Sequence, residues 1–384
     1  MFLLGSLFSL PYVFLFYAVW IAASLARPLL AVTLLCVASN PKAAWRKFEL
    51  FFNTVQYLAL CNDKSWKAPK EDPASFFPED SATSDKVKSK TIIFIRHGES
   101  TWNDTFNKGD RSTMNFAMNF LPNLVQAAAT EWYFWASGQA NESWFYDAPL
   151  SEKGRGQALG VQKYLRADIQ FMPPKEAEFM RLLLGLNTSS AAADNKNGNG
   201  KKGSAPPSAQ LVSSNLRRAI STIAIGMSDR LEQNLPDDKI MILPHLQEIS
   251  RNPDALSITP AHGKVVPAWT DPKSLGAVYD KQIDTTKHTG NKPVNSNGYK
   301  RMQAFCKLVF EDIEKDAVVA AGHSLWFRSF FRTYLPSTME HVSKKKKLIN
   351  GGVVGFTLQR ITTESGEHRY LIDPKSLTTL HGGF

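Results

Sequence analysis

The sequence predicts an α/β fold: a three-layer α/β/α sandwich around a mainly parallel sheet, with an N-terminal transmembrane helix in front of it. Three observations carry this expectation. From Thr91 onward, short apolar runs alternate with helical stretches, the pattern of strand–helix–strand units. The segment from Met1 to Ala26 contains no charged side chain. Several of the apolar runs also end abruptly in polar residues, as in "TIIFIRHGES", "AQLVSSNLRRA" and "AVVAAGHS".

Composition bounds what the chain can be. Its 384 residues, 43% of them hydrophobic, suffice for a real core. The formal charge of +10 favours anionic partners such as phosphates or an acidic membrane surface. No zinc-finger spacing and no basic helix interleaved with aromatics supports nucleic-acid binding. The three cysteines, Cys36, Cys61 and Cys306, have no metal-type spacing, which points to a reducing compartment.

Residues 1–40 are expected to form the membrane anchor. About 25 helical residues at ~1.5 Å each cross a hydrocarbon layer of ~30 Å, and the apolar part is too long for a cleaved signal peptide. A second apolar run at 28–38 is too short to span alone; it extends the first helix or lies in the interface, with Arg27 free to reach headgroups. Lys42, Arg46 and Lys47 follow the anchor and nothing basic precedes it, so a single-pass protein with a cytosolic catalytic domain is expected. A sequon at Asn103-Asp104-Thr105 agrees, because a lumenal glycan there would sit on the motif described below. Residues 41–90 read as a juxtamembrane segment and a linker, the stretch from 62 mixing charge, Pro and Ser without periodicity.

The folded domain is expected over 91–384. Its strands are placed at 91–95, near "AQLVSS", at "KIMILP", at "AVVAAG" and near "GVVGFTLQ" and "RYLID", with helices at "SEKGRGQALGVQKYLRAD", "NLRRAISTIAIGMSDRLEQ" and "GYKRMQAFCKLVFEDIEK". Two segments break this rhythm and read as insertions. The first, at 104–146, is rich in aromatics and partly helical; it is expected to cap a pocket, touch the membrane or pack on the domain's side. The second, at 187–209, is low in complexity.

In a parallel sheet, ligands bind at the carboxyl ends of the strands. Arg96 and His97 lie at one such end, Ser214, Arg217 and Arg218 at a second, and His323 at a third. Arginines and histidines gathered at one edge repel each other unless an anion joins them, and the planar guanidinium suits phosphate.

At this point the sequence resembles the histidine phosphatase superfamily, also called the phosphoglycerate mutase-like family. The resemblance is carried by "RHGESTWN" (96–103), "DAPLSEKGRGQA" (147–158), "SSNLRRAIST" (213–222), "LQE" (246–248) and "GHS" (322–324). It implies that His97 is a nucleophile phosphorylated on its imidazole, that Arg96, Asn103, Arg218 and His323 bind phosphate, and that Glu248 is the proton donor. Asp254 and Glu142 are substitute donors. Arg217 fits a variable position and is expected to be a solvated or linker-facing charge. The motif from Asp147 to Gly154 is expected to be structural, Ser151 capping a helix and Gly154 allowing close packing. The run Lys344–Lys347 is expected on a solvated face or against lipid headgroups.

The segments typical of the mutase branch are replaced here by "DTFNKGDRST" and "QEISRNPDA", which argues against a mutase. Ser324 follows His323 where the acid phosphatase branch has aspartate. The expectation is therefore a membrane-anchored phosphatase hydrolysing a phosphomonoester of a small molecule, lipid or protein through a phosphohistidine, with no metal or other cofactor and no nucleic-acid partner. The alternatives are a phosphomutase and a silent, membrane-tethered scaffold that binds phosphorylated ligands.

Overall fold

The computed structural model describes Ser24 and residues 26–67, 69–78, 86–186 and 209–384. Of the expected anchor, residues 1–23 and 25 lie outside the described residues, and so does the insertion at 187–209 up to its last residue, Ala209. Among the described residues, no helix is long and apolar enough to cross a membrane.

The sheet contains β1 (Val87–Arg96), β2 (Ala209–Ser213), β3 (Ile240–Ile242), β4 (Ile283–Asp284), β5 (Ala317–Gly322), β6 (Val353–Thr362), β7 (His368–Ile372) and β8 (Thr378–His381). Its order is β4-β3-β2-β5-β1-β6-β7, with β8 also paired to β6. The strands from β4 to β1 are parallel, while β6, β7 and β8 add antiparallel pairs. Strand β1 begins earlier than its apolar core suggests, because the charged "VKSK" stretch pairs with the far end of β6.

Residues 26–39 are helical (α1). They are followed by α2 (Pro41–Leu60), α3 (Thr101–Phe106), α4 (Thr113–Ala136), α5 (Glu152–Leu165), α6 (Pro174–Leu183), α7 (Arg217–Gly226), α8 (Ser228–Leu231), α9 (Gly276–Gln282), α10 (Gly298–Glu311), α11 (Ser324–Tyr334) and α12 (Val342–Lys345). The alternation along β1 sorts the layers. Ile93 and Ile95 enter one core with α5, α6, α7 and α9, whereas Ile92 and Phe94 enter the other with α10 and α11. Helices thus cover both faces of the sheet.

The segment before β1 is built into the domain. Asp63, at the start of the stretch expected to be a linker, is fully buried and pairs with Lys292 and Arg301 at 2.7 Å each. Tyr57 of α2 donates to the Lys292 carbonyl. Lys47, one of the basic residues expected to flank the membrane, is buried instead and bonds Glu131 of α4 at 2.9 Å. The first insertion is largely helix α4, which packs beside α2, while Asn107, Gly109 and Asp110 ahead of that helix line the cleft that contains Arg96.

Candidate active site

Strand order 2-5-1 makes the three polar strand ends neighbours. Arg96 is in register with Gly322, and Ser213 with Ala321, so the residues that follow each strand emerge on the same edge. His97 then follows β1, Ser214 follows β2, and His323 follows β5. The turn after β1 is held by Thr222 of α7, whose hydroxyl accepts from the Gly98 amide at 3.0 Å. A Cβ on Gly98 would lie 2.3 Å from the Gly154 carbonyl oxygen, and one on Gly154 would lie 1.9 Å from that of Glu99. Two backbones therefore cross in contact beneath His97. Ser151 caps α5 by accepting from the Gly154 amide, in the structural role read from the sequence.

His97 is 3% exposed. Its Nδ1 lies 2.6 Å from the Gly98 carbonyl, which can only accept, so Nδ1 carries the proton and Nε2 keeps its lone pair. Arg218 points its Nε–H at that nitrogen across 3.4 Å. The His323 ring lies 4.9 Å from the His97 ring, centroid to centroid, and its Nε2 is 2.8 Å from the Ser214 hydroxyl. Burial, followed by Arg218 and Arg96, pushes the His97 pKa well below its ordinary value. His323 shifts the same way, through burial and then Arg218. Arg96 is lowered to about 10 by burial and stays cationic at neutral pH.

Several polar atoms here are buried with no hydrogen-bond partner: Nε of Arg96, Nδ1 of His323 and Oδ1 of Asp254. Buried polar atoms are normally satisfied, so these orphans beside His97 leave hydrogen-bonding capacity that the chain itself does not use. Arg96 also lines a cleft of about 670 Å³ with Asn103, Lys153, Lys347 and Asn350, which gives the edge an opening. Asn103 thus sits at the mouth, its side-chain oxygen accepting from Asn107 at 2.6 Å. Asn350 donates to the His97 carbonyl at 3.0 Å.

Glu248 lies at the start of α11. Its Oε1 accepts from the amides of Ile249 at 2.9 Å and Trp326 at 3.1 Å. Asp254 is buried and ion-paired to Arg218 at 3.3 Å, and burial raises its pKa although Arg218 opposes the shift. Glu142 is drawn away from the site by Arg217, 2.5 Å from it.

The geometry corrects two expectations. Arg217 is not a solvated charge: it is 2% exposed, with its Nε donating to the Asp147 carbonyl at 3.1 Å and its amide to the Asp147 side chain at 2.9 Å. The lysine run is also not one face. Lys344 bonds the carbonyls of Pro336 and Met339, Lys345 pairs with Glu340, and Lys347 lines the cleft beside Arg96. Lys347 and Asn350 are site residues that the strand-end pattern did not find, because they come from the irregular segment before β6. The strength of the lysine run as a sequence signal could have singled out Lys347.

No family model and no curated protein matches this sequence. Among solved structures, the chain is similar to a putative alpha-ribazole-5'-P phosphatase from Escherichia coli, with 11% identity, 77% of this chain and 100% of that one covered, and a TM-score of 0.33. It is also similar to the ecdysone phosphate phosphatase of Bombix mori, with 13% identity, 77% and 96% covered, and a TM-score of 0.33. A mycobacterial glucosyl-3-phosphoglycerate phosphatase matches with 14% identity, 74% and 98% covered, and a TM-score of 0.31. Likeness at this level carries no weight for the chemistry, which stands on the residues themselves.

Proposed function

We propose that this chain is a phosphatase of the histidine phosphatase type that hydrolyses a phosphomonoester through a phosphohistidine on His97. The observation that carries the reading is the convergence of a neutral imidazole, its Nε2 free, with Arg218, Arg96 and His323 around unsatisfied buried donors. Phosphoryl transfer asks mainly for an in-line nucleophile and neutralisation of the equatorial oxygens. Nε2 of His97 attacks phosphorus, the P–O bond of the ester breaks, and Glu248 gives its proton to the leaving oxygen. Water then attacks the phosphohistidine, its proton returns to Glu248, and His97 leaves.

Brief reaction of the full chain with a ³²P-labelled phosphomonoester, followed by alkaline quenching, is expected to leave acid-labile label on the wild type and none on His97→Ala. Label of equal amount on both proteins overturns the assignment. A second reading makes Asp254 the proton donor, favoured by its burial, its unpartnered Oδ1 and its raised pKa.

The protein is further proposed to be held at a membrane by residues 1–40, with this domain on the cytosolic side. The uncharged run Met1–Ala26 supports the anchor. A row of exposed apolar side chains on α4, Met114, Met118, Leu121 and Val125, at i, i+4, i+7 and i+11, supports contact with the interface. So do the exposed Trp45, Phe52 and Val55 of α2. Asn103 lines the cleft, so a glycan on its sequon would block the opening, which favours the cytosolic side. The full chain should stay in the membrane pellet through alkaline carbonate extraction; release into the supernatant overturns the anchor.

A further inference from the structure

Beside the candidate active site runs a second cleft, of about 550 Å³, lined by Lys64, Trp66, Lys67, Ile249, Leu325, Arg328, Ser329 and Arg332. Its charge is one-sided: four cations and no carboxylate. Among the described residues, no side chain pairs with or hydrogen-bonds to the side chains of these four cations. Helix α11 supplies Leu325, Arg328, Ser329 and Arg332 at i, i+3, i+4 and i+7, a single helical face. Like charges at i and i+4, as in Arg328 and Arg332, cost an isolated helix ~0.2–0.5 kcal/mol. Lys64, Lys67 and Arg332 are exposed and Arg328 is half-buried, so together they present a one-signed surface that attracts an anion from solvent.

The cleft abuts the site. Leu325 and Ile249 line it, and both are bonded through their amides to Glu248, the Leu325 contact at 3.5 Å and the Ile249 contact at 2.9 Å. His323 is the N-cap of α11, so Arg328 and Arg332 follow it at roughly 8 and 14 Å along the helix axis. Lys347, which lines the first cleft, lies close enough to Glu248, Arg96, Arg328 and Lys64 to feel the charge of each. Basic groups thus stand in both clefts, and Trp66 offers the second one a flat apolar surface.

We propose that this second cleft binds an additional phosphate of the substrate, so that the enzyme acts on compounds carrying two or more phosphate groups on a compact skeleton, either free or as a lipid headgroup. The catalytic half of this statement rests on the phosphatase reading; the binding half does not.

The test measures affinity by calorimetry with the full chain in detergent, using inositol hexakisphosphate and inorganic phosphate as soluble probes. The wild type is expected to bind inositol hexakisphosphate at least tenfold more tightly than phosphate. The Arg328→Gln/Arg332→Gln variant should lose most of that gap, and Arg328→Lys/Arg332→Lys should keep it with a similar dependence on salt. Flotation with phosphatidylcholine vesicles, with and without phosphatidylinositol 4,5-bisphosphate, separates the two sources. Tighter recovery with the charged lipid that the Gln variant loses marks a headgroup, and loss confined to the soluble probe marks a free compound. Equal affinity of wild type and Gln variant for both the soluble and the vesicle probe overturns the cleft, as does loss of binding in the Lys variant equal to that in the Gln variant. His97→Ala keeps the two readings apart: it should still bind inositol hexakisphosphate even if the wild type proves to hydrolyse nothing.

Discussion

Arg218 reaches Nε2 of His97 with its Nε–H at 3.4 Å, while Asp254 holds the same guanidinium from the other side at 3.3 Å. One arginine is thus fixed between His97 and a buried carboxylate, its terminal nitrogens turned to the carbonyl and side chain of Asp254 and its Nε–H to the imidazole. Lysine would keep the charge and lose the fork. Arg218→Lys is therefore expected to lower kcat/KM for an aryl phosphate by ~10²–10³-fold and to weaken competitive inhibition by inorganic phosphate. Kinetics within a few-fold of the wild type would place Arg218 outside the site.

Glu248 and Asp254 can be told apart by the leaving group. A 4-nitrophenolate departs without a proton, whereas an alkoxide needs one. If Glu248 is the acid, Glu248→Gln should lose ~10²–10⁴-fold on an alkyl phosphate and far less on 4-nitrophenyl phosphate. Asp254→Asn should then slow both esters alike, by loosening Arg218. The opposite pattern assigns the acid to Asp254.

The convergence of His97, Ser214 and His323 at one edge was legible in the sequence because each strand announces its own end. Apolar runs stop at Arg96, Ser213 and Gly322, and parallel pairing brings the next residues together without any long-range information. The burial of Arg217 was not legible. Its partners Glu142 and Asp147 stand some 70 residues earlier, within or beside an aperiodic insertion, and a charge beside the pocket arginine looks the same whether solvated or paired. Asp63 was hidden for the same reason, since its counter-charges Lys292 and Arg301 lie more than 200 positions away. The basic cleft joins α11 to the segment around Trp66, and only the folded chain makes those cations neighbours.

Asp63 holds Lys292, and Lys292 in turn donates to the carbonyls of Glu248 and Ser250 at 2.6 Å each. Burial would raise the Asp63 pKa, but Arg301 and Lys292 outweigh it and hold it below the ordinary carboxylate value. Removing one member of a buried ion network leaves the others uncompensated, at ~3–5 kcal/mol. Asp63→Ala should cost about that much in denaturant unfolding and should also reduce kcat, because the backbone carrying Glu248 loses its tether. A variant as stable as the wild type would mean that the segment before β1 stands free of the domain.

Acid should destabilise the fold through its buried histidines. Burial and Arg218 lower the folded pKa of His97 and His323 below ~6.5, the value expected in the unfolded chain. The unfolded state then binds more protons as pH drops through 6.5. Stability is full above that pH and falls below it, by up to ~1.4 kcal/mol per pH unit for each histidine. Asp147 and Asp254, raised by burial, act in the opposite sense at lower pH. Comparing wild type with His323→Asn isolates one contribution: the thermal midpoint of the variant should fall less steeply between pH 7 and 5.5. Parallel slopes would show that His323 is protonated equally in both states. The same shift keeps His97 unprotonated in mildly acidic solution, so the acid limb of kcat/KM is expected below pH 6.5 wherever that limb reports His97.

Gly98 and Gly154 cross in backbone contact next to His97. A methyl group on Gly154 would meet the Glu99 carbonyl oxygen at 1.9 Å, and one on Gly98 the Gly154 oxygen at 2.3 Å. Neither obstacle is a side chain that can rotate away, so the β1–α3 turn and the start of α5 would have to separate. Overpacking costs ~1–3 kcal/mol where neighbours can give, and two backbones in contact give less. Gly154→Ala should therefore destabilise the domain by about 3 kcal/mol or more. Because the shift displaces His97 relative to Arg218, activity should fall even at temperatures where the variant stays folded. Gly156→Ala, two residues along the same helix where a Cβ meets nothing within 4 Å, is the matched control. It should leave both stability and turnover near wild type, since alanine is the better helix former. Equal losses in the two variants would trace the effect to the helix rather than to the crossing.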